Sequence, residues 1–499
     1  MKKLILAIFL TLNLAASTLH LSIGSNPSKL NPLIATDSAS GEIAGWIFDA
    51  LLAYDKNGKI EPRLAKSYRF KNNTTLLFTL RDDVYWSDGV KFTAKDVVFT
   101  YNLITSPKIF TPYASEFRYV KSVKALDDYH IEVVYKEPYF KALQTWMTDI
   151  VPKHILEKEE DIMTSRFNQH PVGTGSYTLD GFEISKDIVL KANPNYFRGK
   201  PKIDEIVYHF MPDPSTQFLM LKSHKLDVGS LTPLQYERQI DEDFRSFYDV
   251  YEKISQSYTY LGFNLKNPKF QDPKVRKALS LAIDRQELVD ILFFGHGQVC
   301  TGPFMPGTFA FNKEIKAPLQ NIEEAKRLLK EAGYTPKHPL SFEIVTNSNN
   351  PTRVYATQIL QYQLEKAGVI VKIRTMEWQA FLNTVVMPRK FEAVVLGWGL
   401  GLMPDAYSIW HSEGSTKGGF NFISYKNEKV DALIKEAEKT VDQQKLGEIY
   451  REIFALIVHD NPYLFLYIPN SITVVNKKIQ NVSQSILGVM HNVIEWIKP

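Results

Sequence analysis

The sequence predicts an α/β fold, and three observations carry that prediction. Residues 341–399 alternate strand and helix patterns in the order β-α-β-α-β, which implies a parallel sheet with right-handed crossovers. Residues 46–165 mix short strands and helices, the pattern of an α+β lobe. The chain has 499 residues, 44% hydrophobic and 23% charged, enough for two to four domains by the usual domain size. That composition excludes disordered, collagen-like and small disulfide-stapled chains. The formal charge of +4, from 59 basic and 55 acidic residues, argues against a nucleic-acid binder, which carries a basic stripe.

Taken in order, the chain opens with Met1-Lys2-Lys3, an apolar run over 4–14 and the small residues Ala15-Ala16-Ser17. This is the pattern of a cleavable secretory signal peptide, residues 1–17, cut near Ala16 or Ser17. The apolar run is too short to span a bilayer comfortably as a mature helix. The one cysteine, Cys300, allows no intramolecular disulfide and lies far from the cleavage site. A soluble periplasmic protein, not a lipoprotein, is expected. Cys300 itself reads as a small packed residue rather than a reactive thiol.

Ile43, Trp46, Ile47, Ala50, Leu51 and Tyr54 recur at helical spacing and predict a helix over 38–54. Residues 55–58 then turn. Strands are expected over 76–80 and 131–135. Thr93 with Asp96 forms a capping box that opens a helix ending before Pro107. His170 to Tyr177 is a glycine-rich turn leading into a strand; with no Lys-Ser/Thr pair after it, it is not a phosphate loop. Asp272-Pro273 reads as an N-cap and first turn, followed by an apolar stripe from Val275 to Val289. Asn321 with Glu324 opens a helix that Gly333 ends. In the β-α-β-α-β unit the strands fall at 341–346, 369–376 and 391–398. Ligands in such sheets sit beyond the carboxyl ends of the strands. Those ends, 347–351, Glu377 and 398–405, would gather along one edge.

Several segments resemble a known family. Val275-Arg276-Lys277-Ala278-Leu279 through Ala282-Ile283-Asp284-Arg285 is similar to the signature helix of family 5 extracellular solute-binding proteins, the oligopeptide- and dipeptide-binding components of ABC importers. Trp86-Ser87-Asp88-Gly89, residues 92–98, Gly173 to Tyr177, 193–197 and 324–333 resemble the same family, in order and over nearly the whole mature chain. The resemblance implies a periplasmic-binding-protein-like fold: two α/β lobes joined by a two-segment hinge, plus an extra α+β lobe. Lobe I would comprise 18–45, 166–258 and 469–499, lobe II 46–165, and lobe III 259–468. The hinge would lie near 258–264 and 467–475. The implied function is capture of peptides or another small solute by hinge closure, then delivery to the membrane permease of an ABC transporter. One departure is local. Peptide-binding members carry an Asp three residues after the tryptophan of a Gly-Trp motif, where it pairs with the peptide's α-amino group. Here that motif is Gly397-Trp398, and the corresponding position is Gly401.

The expected ligand-binding residues follow from the strand ends and from the resemblance. Trp398 either packs against the ligand or sits in the core beneath its loop. Asp405 either replaces the missing acid or caps the turn that begins at Ala406. Of Tyr407 and Trp410, Tyr407 is expected to face the ligand. Asn347 and Arg353 follow the first parallel strand, and Arg353 either holds a ligand carboxylate or is a solvated helix charge. Ser25 and Asn26 follow the first mature strand, a segment that borders the cleft in the family. No catalytic residue, metal site or cofactor is expected: there is no Gly-x-Ser-x-Gly elbow or HExxH spacing. The alternative ligand is a metal or metallophore, because the family includes nickel-uptake members. His20, His411 and His491 could converge for it only through folding.

Overall fold

The structure, a computed structural model, describes residues 16–109, 111–183, 185–416 and 419–499. The expected signal segment up to Ala15 lies outside the described residues.

The parallel unit forms as its apolar pattern requires. Strand Ser341–Asn347 pairs in parallel with Ile370–Met376 on one side and with Ala393–Gly399 on the other. Helix Pro351–Lys366 crosses between them, its N-cap Asn350 accepting from the Arg353 amide. The expected short helix is a turn, Trp378–Phe381, running into a π-helical turn, Leu382–Val386. The sheet continues antiparallel through Ser257–Phe263 and then Tyr463–Asn476. The 14-residue strand Tyr463–Asn476 then leaves this unit. Its second half pairs with Tyr248–Ile254 and Val228–Leu231. Residues 255–256 and 467–470 are thus where two neighbouring segments pass from one half of the sheet to the other.

Besides a two-stranded pair, Leu52–Tyr54 with Ile60–Pro62, two four-stranded sheets accompany this frame. One orders Thr18–Ile23, Glu205–Phe210, Asp187–Ala192 and Tyr177–Phe182; the other orders Ala65–Asn72, Thr75–Leu80, His130–Tyr135 and Val120–Ala125. The caps read from sequence are present. Thr93 and Asp96 form a full capping box, Asp272 caps Pro273–Leu281, and Asn321 caps Ile322–Glu331. Gly333 has φ +91°, the left-handed conformation that ends a helix. In the signature segment Arg276 and Arg285 are buried and donate to backbone carbonyls, Arg276 Nη1 to Phe270 at 2.7 Å and Arg285 Nε to Phe465 at 2.8 Å. Arg285 ties its helix to the sheet, and Arg276 ties its helix to the preceding turn and to the Asp460 carbonyl. Cys300 is buried, and burial pushes its thiol up to about 12, which makes it inert.

The helix expected over 38–54 is shorter. It spans Ser38–Ile47 and turns extended at Phe48, and Leu52–Tyr54 is a strand. Ala50 and Leu51 are apolar because they are buried beyond the helix, not because they continue its stripe. The stop comes from the glycine-rich turn. Gly175 N–H donates to the Ile47 carbonyl at 2.8 Å. A Cβ on Gly173 would lie 1.8 Å from that carbonyl oxygen, and one on Gly175 would lie 2.3 Å from the Trp46 oxygen. The turn is a close approach of backbone to helix end, as Gly permits. Gly173→Ala is therefore expected to lose stability at the upper end of about 1–3 kcal/mol, read as a lower urea midpoint at unchanged slope.

Candidate ligand-binding site

The strand Ala393–Gly399 ends at the edge where Pro351–Lys366 begins, and it delivers Trp398 there. The indole is half-buried and separates two cavities of about 300 and 270 Å³, lining both. It stacks on Phe422 at 5.6 Å, meets Phe420 edge-on at 5.9 Å, and donates from Nε1 to the Tyr463 hydroxyl at 3.3 Å. Trp398 is thus both a packed residue and a wall of open space.

The second cavity is polar on one side. Arg353 lines it with Tyr258, Thr259 and Tyr467. Its Nη1 donates to Asn347 Oδ1 at 3.1 Å, and Asn347 is itself buried. Burial pushes the guanidinium pKa down, and among the described residues no carboxylate pairs with it within 4.0 Å. Arg353 Nε and the Tyr258 hydroxyl are both buried without a hydrogen-bond partner. Gly397 makes room for this arrangement, since a Cβ there would lie 2.8 Å from Arg353 Nη2. A half-buried guanidinium with a free donor and no carboxylate partner fits a ligand carboxylate.

The first cavity has apolar walls, Phe304, Met305, Ile409 and Phe420 among them, and one charged corner. Lys141 Nζ donates to Glu116 Oε2 and Asp405 Oδ2, each at 2.9 Å. Asp405 Oδ1 accepts from the Tyr407 amide at 2.8 Å. Burial alone raises the Asp405 carboxyl, but the Lys141 ammonium, the Tyr407 amide and the Arg118 guanidinium together outweigh it and leave the pKa below the usual range. Asp405 therefore caps its turn and already holds an ammonium. It is not a vacant acid replacing the one absent at Gly401.

The remaining expectations divide. Asn347 lines neither of these two cavities and instead orients Arg353. Tyr407 turns away: its hydroxyl donates to Glu413 Oε2 at 2.6 Å, and the Arg118 guanidinium covers its ring at 4.6 Å. Trp410 sits in the core as expected, almost fully buried, and also borders the first cavity. Ser25 is exposed, and Asn26 accepts from the Ser185 amide at 2.9 Å; neither lines the space around Trp398. Lys141, Glu116 and Tyr258 were not legible as site residues. Only the spacing of Tyr258 beside an expected hinge pointed near the cleft. His20, His411 and His491 do not converge; among the described residues no group of three His, Cys, Asp or Glu side chains could hold a metal ion.

The model of the bacterial extracellular solute-binding proteins, family 5, matches residues 59–420. The chain belongs to this family. Over 494 residues it is 31% identical to the oligopeptide-binding protein AppA of Bacillus subtilis, covering 95% of this chain and 90% of that one. The structure of that protein in complex with a nonapeptide superposes with a TM-score of 0.86 at 29% identity, covering 97% and 99% of the two chains. NikZ from Campylobacter jejuni in complex with Ni(L-His) gives 0.85 at 28% identity, covering 96% and 99%. DppA from Helicobacter pylori in complex with the peptide STSA gives 0.82 at 26% identity, covering 96% of each chain. The family is one of extracellular solute-binding proteins, and its α/β architecture is that of this chain. Among the described residues no helix is long and apolar enough to cross a membrane.

Proposed function

We propose that this family 5 protein captures peptides in the periplasm and delivers them to an ABC-transporter permease. Residues 1–17 would be removed on export, with no lipid anchor. The observation that carries the peptide reading is the pair of adjoining cavities at Trp398, one apolar and one ending in a half-buried guanidinium with a free donor. Trp398 would wall the ligand, and Arg353, oriented by Asn347, would hold a ligand carboxylate. Lobe I (18–45, 166–258, 469–499) and lobe III (259–468) would close about the two crossing segments near 255–256 and 467–470, with lobe II (46–165) as the added lobe. The ligand must then make contacts in the closed state that the open state lacks. Asp405 and Tyr407 would serve by shaping the loop after Trp398, and Ser25 and Asn26 by bordering the cleft from lobe I.

Arg353→Ala is expected to weaken a peptide ligand by about 1.5–3 kcal/mol, the range for a hydrogen bond to a charged group, with the fold unchanged. Calorimetry showing the same dissociation constant would reject the carboxylate anchor. Trp398→Ala should weaken binding likewise and leave the circular dichroism intact. The first test is native mass spectrometry of protein taken gently from a periplasmic extract. A ladder of masses that fragment as peptides supports this reading. A second reading, a small metal–amino-acid chelate, is favoured by the likeness to NikZ with Ni(L-His); a single metal-bearing mass would establish it instead.

A further inference from the structure

A cavity of about 1030 Å³, larger than both cavities at Trp398, shares no lining residue with them. It lies among the end of helix Ser38–Ile47, the residues around Met147 and Asp149, and a C-terminal segment from Ser483 to Glu495. Acids outnumber bases along its wall. Two of them are neighbours by construction: Asp149 pairs through an isolated bridge with Ala50, and the Ile150 amide donates to the Asp49 carbonyl at 3.1 Å. Asp49 is only 9% exposed. Its Oδ1 accepts from the Tyr196 hydroxyl at 3.3 Å, while Oδ2 is buried with no partner. Neither Asp49 nor Asp149 joins an ion pair within 4.0 Å among the described residues, although Arg63 shares the cavity. Aromatic groups complete the wall: Trp46, Tyr54, Tyr196 and Tyr208, with Trp46 Nε1 donating to the Tyr208 hydroxyl at 2.9 Å.

We infer that this cavity is a recognition pocket for an organic cation, an ammonium or guanidinium group, seated against Asp49 and Asp149 and walled by Trp46 and the tyrosines. A buried carboxylate oxygen without a donor is costly unless a donor arrives. Aromatic faces attract cations and supply contact area. An organic cation fits better than a metal ion, because among the described residues no trio of ligating side chains is in place. The raised pKa of both carboxyls accords with this: burial pushes Asp49 up to about 8 and Asp149 up to about 7. Nearby Arg63 offsets the cost at Asp49 only in part, and burial at Asp149 is not offset at all.

Ligand-detected NMR on the full mature chain tests this, with n-butylguanidinium chloride as probe and n-butylurea as its neutral counterpart. The guanidinium should bind and the urea should not. The D49N/D149N variant should weaken the guanidinium roughly tenfold or more, the effect of losing a charged hydrogen-bond partner, while W398A and R353A leave it unchanged. If the double variant does not fold, the single D149N variant is read for a weakening in the same direction. Equal binding of both probes, or no binding of either, overturns the inference. So does loss of the probe in W398A with retention in D49N/D149N. Peptide binding is measured separately on W398A and R353A, so failure of the peptide reading leaves this result standing.

Discussion

Lys141→Met is expected to destabilise the chain by about 3 kcal/mol, at the lower end of the range for breaking a buried ion pair. The ammonium side chain is 9% exposed and lies between Glu116 and Asp405, whose side chains are 35% and 22% exposed. Methionine keeps the length of the stem and removes the charge. Asp405 is then left as a partly buried carboxylate with one backbone donor. Its exposure, and that of Glu116, keep the loss from the top of the range. Adding Asp405→Asn should recover most of the stability, because a neutral pair carries no uncompensated charge. The sign with pH follows from the depressed pKa of Asp405. The pair's contribution is present above the unfolded carboxyl range and disappears as pH falls through the lower folded value. Urea unfolding of the wild type, the single variants and the double variant gives the coupling. Equal losses in Lys141→Met and in the double variant would mean that Lys141 acts by packing alone. The pair also matters for the ligand. An incoming ammonium at this corner would have to displace Lys141, so the first cavity favours solute groups that bring no charge to it.

What could be read from the sequence was local. Asp272, Asn321, Thr93 with Asp96 and Gly333 announced their helix ends because a cap acts within four residues. The parallel unit over 341–399 was legible because strand and helix periods differ and its turns are short. The edge that holds Trp398 and Arg353 followed from topology alone. The error over 38–54 was also local in origin: Ala50 and Leu51 are apolar for a strand-side core and continue the helical spacing by coincidence. The stop lies in Gly173 and Gly175, well over a hundred residues away in the chain. Charge pairing was illegible for the same reason. Lys141 and Asp405 are 264 positions apart, and nothing near Asp405 shows that its carboxylate is already used. Tyr407 and Trp410 lie on one short turn, Tyr407–Trp410, and only the positions of Arg118 and Glu413 decide which of them faces open space.

Asp49→Asn is expected to stabilise the protein by about 5 kcal/mol at pH 8 and by almost nothing at pH 4. Burial is the first cause of the raised pKa of Asp49; nearby Asp149 adds to it, and Arg63 and the Tyr196 hydroxyl reduce it. An unfolded carboxyl loses its proton near pH 4, whereas this one keeps it until about 8. Between those values the unfolded chain binds fewer protons, so stability falls as pH rises, and above about 8 the loss is complete. Asparagine still accepts from Tyr196 and never ionises. The difference between variant and wild type should therefore open from pH 4 upward and level off near 8, measured as urea midpoints at matched slopes. A constant offset across that range would show that packing, not ionisation, is at work. If the difference opens as expected, Asp49 is a residue held against the stability of the fold. Groups of that kind belong where binding or chemistry uses them, and a buried acid lining a cavity of about 1030 Å³, with an oxygen that lacks a donor, is placed for a cation. The stabilised D49N variant is then the one expected to lose the guanidinium probe, so a gain in stability and a loss of binding should appear together in one protein.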